Sequence, residues 1–129
     1  MKLITSTDSC PELNDLLESL ISGLDLWSTY GRDQTALNLL KLELSQHSMT
    51  FEEVRQLSNY QIAYMLSHAI NKRLTKMLET LPEFMSSNVG LQEELVLEDT
   101  YGLTQLLEEC ILVMNLERWE YLTQEANDV

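Results

Sequence analysis

The chain is short of residues that break helices. Four glycines and two prolines are spread over 129 residues, so obligatory turns are few and long helices with short connections are the natural reading. Cysteine is as scarce. Cys10 and Cys110 are the only two, and they form no C-x-x-C pair of the redox or zinc kind. A chain of this length buries about two-thirds of the surface it exposes when unfolded, so it needs no disulfide or metal staple. The opening residues, Met1 to Asp15, lack the apolar stretch of a secretory signal. No run approaches the ~18 apolar residues that would span a bilayer. The expectation is one helical domain over residues 1–129, cytoplasmic, with both thiols free.

Basic residues are the next shortage. Lys and Arg number 8 against 21 Asp and Glu, a net charge of −13. That balance favours solubility and opposes direct binding to nucleic acid or to an anionic membrane. The excess is concentrated at one end. From Glu83 to Val129 eleven acids face one base, Arg118, for a net of −10, whereas residues 1–82 hold ten acids and seven bases.

What is present is helical periodicity. Pro11 suits a first helical position, where its missing N–H costs nothing. Leu13, Leu16, Leu17, Leu20, Ile21 and Leu24 then recur at helical spacing, with Gly31 as the expected stop. Asp33 is placed to cap a second helix running to about Gln46. Within it, Leu40 to Leu44 alternates as a strand would, but Leu is not β-branched and no second strand is visible to pair with it. Thr50 and Glu53 match a capping box for a short third helix. Ser58 or Asn59 opens a fourth, with Ala63, Leu66, Ile70, Leu74, Met77 and Leu81 as its stripe and Pro82 as its expected end. Residues 86–90 read as a loop. The last helix is expected from Asp99 or Thr100 to about Ala126. Its middle, Cys110 to Leu116, is apolar nearly all round, which predicts burial on more than one side, either at the centre of the bundle or in an oligomer interface. The expected core is Leu17, Leu20, Ile21, Leu66, Ile70, Met77, Leu107, Ile111 and Met114.

No pattern of catalysis or cofactor binding stands out. The soft metal ligands His47, His68, Cys10 and Cys110 do not pair with one another at i, i+3 or i+4, and no Glu-x-x-His occurs. No G-x-S-x-G elbow frames a serine, and the glycines lie too far apart for a phosphate loop. The expectation is no catalytic, cofactor or metal residues. Residues 50–74 trace a helix-turn-helix outline, and its long helix carries the basic cluster Lys72, Arg73 and Lys76. Basic residues also belong in the last turns of a helix, where they offset its dipole, and they can pair with the acidic C-terminal third.

The fold expected is an all-α compact bundle of four to six helices with a central C-terminal helix. The function expected is that of a non-enzymatic protein-binding modulator, of adaptor, chaperone or anti-regulator type. The alternative is an acidic inhibitor or immunity protein occupying a basic nucleic-acid-binding site on its target. The residues expected to bind the partner are Glu93, Glu94, Glu108, Glu109, Glu117 and Glu120 by charge, and Trp27, Tyr30 and Trp119 as aromatic anchors. The partner is another protein with a basic surface. A symmetric homodimer through Cys110 to Leu116 is also expected.

Overall fold

The computed structural model describes the backbone of residues 3–5, 10–87 and 90–127. Of their side chains it describes all but those of residues 80–87, 90–99, 118–123 and 125–127. Among the described residues six helices follow one another: α1 (Pro11–Ser22), α2 (Thr29–Arg32), α3 (Gln34–Gln46), α4 (Phe51–Arg55), α5 (Asn59–Ser87) and α6 (Gly90–Asn127). Among the described residues there is no strand, only an isolated bridge between Leu3 and Thr50, so the all-α bundle is as the sequence implied. No helix of the described residues is long and apolar enough to cross a membrane.

Local chemistry sets most of the boundaries. Pro11 opens α1, and Leu13, Leu17 and Ile21 turn inward at four-residue spacing. The helix stops at Ser22 rather than near Gly31. Asp25 takes a positive φ of 56°, a conformation that Asp tolerates better than most residues. The chain then turns back so that Leu24 and Leu26 are buried. Gly31 instead lies inside the one-turn helix α2, where a Cβ would stand 2.6 Å from that of Leu26. Asp33 Oδ1 accepts the Thr35 N–H at 2.8 Å and opens α3. The Leu40–Leu44 stretch is helical, as Leu-rich composition argued.

The capping box at α4 is complete. Thr50 Oγ1 accepts the Glu53 N–H, and Glu53 Oε1 accepts the Thr50 N–H. A second reciprocal pair, Ser58 with Gln61, stands before α5. That helix runs through Pro82 to Ser87 rather than ending there. The ring deprives only the Leu78 carbonyl of its intrahelical donor, so the backbone can continue as a helix. α6 likewise starts earlier than expected. It spans 38 residues, about 57 Å at the usual rise.

The core lies where α1, α3, α5 and α6 meet. It contains Leu17, Leu40, Leu44, Val54, Ile62, Leu66, Ile70, Leu103 and Leu106, each fully enclosed. The principal packings of α5 are with α6, α3 and α1, and those of α6 are with α5 and α2. Of the core expected from sequence, Leu17, Ile21, Leu66 and Ile70 are buried, while Leu20, Met77, Leu107 and Met114 are half-buried against the core. Ile111 is a correction: it is 43% exposed. The inward stripe of α6 is Leu103, Leu106 and Cys110. Position 111 is rotated about 100° from Cys110, which carries it out of that stripe.

Candidate functional site

Two places bring polar chemistry and exposed apolar surface together. The first is a groove where the chain between α1 and α2 meets α6. Trp27 is 71% exposed at its edge, and Ser28, Gln105, Glu108, Glu109 and Leu112 line a volume of about 410 Å³. α6 supplies Tyr101, Gln105, Glu108, Leu112 and Leu116 at helical spacing, all exposed, with Gln105 Nε2 donating to the Tyr101 hydroxyl at 3.2 Å. Leu112 and Leu116 are 54% and 62% exposed, an unusual amount of leucine surface for one helix face.

The two glutamates in this groove do different things. Glu108 is exposed. Glu109 is half-buried, and its Oε1 accepts the backbone N–H groups of Trp27 and of Ser28, the latter at 2.7 Å. Ser28 is the N-cap of α2 and its hydroxyl accepts the Gly31 N–H. Glu109 thus satisfies backbone donors at the start of α2 from 81 residues away, a carboxylate in the position where a helix N-terminus favours one. Tyr30 packs against the core and over Gly102, where a Cβ would come within 1.9 Å of its ring.

The structure therefore brings together Trp27, Tyr30, Glu108 and Glu109 of the residues expected to bind a partner. Glu117 is half-buried further along α6. The side chains of Glu93, Glu94, Trp119 and Glu120 lie outside the described residues. The sequence reading left open whether the Cys110–Leu116 segment is core or interface, because apolar residues all round a helix look like core from either side; Leu112 and Leu116 lie on the surface.

The second place lies between α3 and α5. Glu43 is 1% exposed, yet it is a carboxylate. Its Oε1 meets His47 Nε2 at 2.9 Å and His68 Nδ1 at 2.7 Å. Its Oε2 accepts from Lys72 Nζ at 3.2 Å, and the same ammonium donates to Gln46 Oε1 at 2.9 Å. Burial by itself would push the Glu43 carboxyl up. The hydrogen bonds from His68, His47 and Lys72, with the charge of Lys72, outweigh it and hold the group below the usual carboxylate range. The basic cluster is thereby relocated: Lys72 sits in the middle of α5 and pairs with Glu43 of α3, not in a last turn facing a helix dipole. His68, Lys72 and Lys76 line an adjoining groove of about 470 Å³. The spacing Glu43-x-x-x-His47 puts those two on one helix face and was visible in the sequence. His68, 25 residues from Glu43, was not connected to them by any local pattern.

The two cysteines remain free thiols, Cys10 exposed and Cys110 buried. Comparison with known proteins finds no match: no family model, no curated protein and no solved structure resembles the chain.

Proposed function

We propose that the protein is a non-enzymatic binding module that docks another protein on the face formed by Trp27 and the outer stripe of α6. The observation that carries this reading is the 71% exposure of Trp27 beside Leu112 and Leu116, themselves 54% and 62% exposed. Tryptophan is over-represented among the residues that dominate binding energy, and a contiguous apolar patch edged by charge is the usual form of a recognition surface. Glu108 at the groove and the net −10 over residues 83–129 favour an occupant with apolar side chains flanked by lysine or arginine. A modulator of adaptor, chaperone or anti-regulator type fits such a face. The narrower form of the same reading is an inhibitor whose acidic face fills a basic nucleic-acid-binding groove of the partner.

A second copy of the chain is the competing occupant. Ile111, Leu112 and Leu116 are exposed and would cover their counterparts in a symmetric dimer, but −13 on each copy opposes it. A photo-reactive amino acid at position 112, with position 42 on α3 as control, separates these in the host cell. The expected result is a cross-link to one different protein from position 112 only. Trp27→Ala should then weaken binding to that protein by about 30-fold, equivalent to about 2 kcal/mol. Association should slow as salt rises, because screening shortens the reach of exposed charge to about 8–10 Å. Duplex DNA competing for the partner would assign the inhibitor form. A 112–112 cross-link with dimer mass in sedimentation would replace the partner with a second copy. Affinity indifferent to Trp27→Ala would overturn the docking face.

A further inference from the structure

We propose that Glu43, His47 and His68 form a binding site for a divalent transition-metal ion of the zinc class, clamping the C-terminal end of α3 to α5. Two imidazoles and one carboxylate converge here from two elements. The ligand atoms Oε1, Nε2 and Nδ1 all lie within 4.8 Å of one another, and the two rings are 6.5 Å apart between centroids, inclined at 39°. An ionised carboxylate only accepts hydrogen bonds, so each ring nitrogen facing Glu43 Oε1 carries a proton. Those two protons point into the space between the three ligands, where an ion would sit.

Little movement is required. Zinc holds imidazole nitrogen and carboxylate oxygen at about 2.0–2.2 Å, which separates neighbouring ligands in a tetrahedron by about 3.3 Å. The present separations from Oε1 are 2.9 and 2.7 Å, so each of these two ring nitrogens must draw back from Oε1 by only about 0.5 Å to reach that spacing. His47 then binds through Nε2 and His68 through Nδ1, each giving up the proton on that nitrogen to its other ring nitrogen or to solvent. Both histidine side chains are about half exposed, 52% and 48%, so the ion has an entry path and solvent supplies the remaining coordination. Glu43, enclosed and held by Lys72 on Oε2, is already oriented, as a metal-bound carboxylate with an outer partner is. Imidazole nitrogens select zinc, copper or nickel over calcium or magnesium, which favour all-oxygen sites.

Lys72 gives the proposal a distinguishing consequence. Its ammonium is 3.4 Å from Oε1 as well as 3.2 Å from Oε2, and it is a like charge beside the ion. Lys72→Gln, which can keep a hydrogen bond to Oε2 while removing the like charge, should therefore tighten metal binding, whereas a cluster with a purely structural role would bind no metal in either form.

The test is calorimetric titration of the full chain, freed of metal by a chelator, with zinc chloride alone and with calcium and magnesium chlorides in parallel. The expected result is one zinc per chain and a melting temperature that rises with zinc, since a ligand for the folded state stabilises it. No heat with calcium or magnesium is expected at the same site. His47→Ala and His68→Ala should each weaken zinc binding by roughly tenfold or more, and Lys72→Gln should strengthen it. A wild-type chain that takes up no zinc, or histidine variants that bind it as the wild type does, would overturn the proposal. The second result would assign the ion to the acidic surface instead. Should a variant fail to fold, ring-nitrogen NMR shifts on the unaltered chain decide. Zinc must move His47 Nε2 and His68 Nδ1, and shifts at neither refute the site.

Discussion

Cys110 and Cys10 carry the same thiol in opposite surroundings. Cys10 is exposed ahead of α1, while Cys110 is enclosed on the inner stripe of α6. Burial pushes the Cys110 thiol up. A hydrogen bond with Ser67 pulls against the shift and the charge of Glu109 adds to it, leaving the group at about 12 against an ordinary 9.0. The thiolate is the reactive form, so a disulfide reagent at mild alkaline pH should consume one thiol per native chain at once and the second only after unfolding. Two thiols reacting together would contradict this burial. A raised acid keeps its stabilising contribution below the unfolded value near 9.0 and loses it as pH climbs toward about 12. Alkaline unfolding should therefore be postponed in Cys110→Ala relative to its own stability at neutral pH.

At the scale of the helix, α6 shows how little an apolar sequence says about which side is inside. Leu106 and Ile111 are both aliphatic, five residues apart, and only Leu106 is enclosed. Leu106→Ala should cost about 2–5 kcal/mol, and Ile111→Ala less than about 1 kcal/mol; equilibrium unfolding in urea measures both. Equal losses would place the inward face elsewhere. The crossing of α2 over α6 makes a second prediction. Gly102→Ala should gain about 1 kcal/mol of helix propensity. The new methyl would fall within 1.9 Å of the Tyr30 ring, and overpacking of this kind costs about 1–3 kcal/mol. The variant should be destabilised overall, and the sign should reverse when Tyr30 is also changed to Ala. Additive effects in that double-mutant cycle would show that the ring and residue 102 do not touch.

For the molecule as a whole, charge that looks alike in sequence divides between structure and surface. Glu108→Lys should alter stability by no more than about 0.5 kcal/mol and slow association with a basic partner. Glu109→Lys should destabilise the fold by about 2 kcal/mol or more, because it removes the charged acceptor of the Trp27 and Ser28 N–H groups. Denaturation curves and association rates, measured on each variant separately, distinguish them. If the two reversals behave identically, α2 is not capped from α6. The acidic third is thus not a uniform field. At least one of its carboxylates is committed to holding the fold.

Where α1, α3, α4 and α5 begin was settled by neighbours in the sequence. Pro11, Asp33, the Thr50–Glu53 box and Ser58 act through hydrogen bonds or steric limits spanning a few residues, so local chemistry suffices to read them. Buried leucines at helical spacing in α1 and α5 were legible for the same reason. The arrest of α1 before Gly31 and the outward turn of Ile111 were not, because each depends on what packs alongside. The same holds for both candidate sites. Glu43 and His47 are one helical turn apart, but His68 and Lys72 reach them only because α5 lies on α3. Glu109 meets Trp27 only because α6 lies on α2. Helix periodicity records how often a residue faces one direction, not which direction the neighbouring helix occupies. Only tertiary packing supplies that direction, and with it the partners of every charge discussed above.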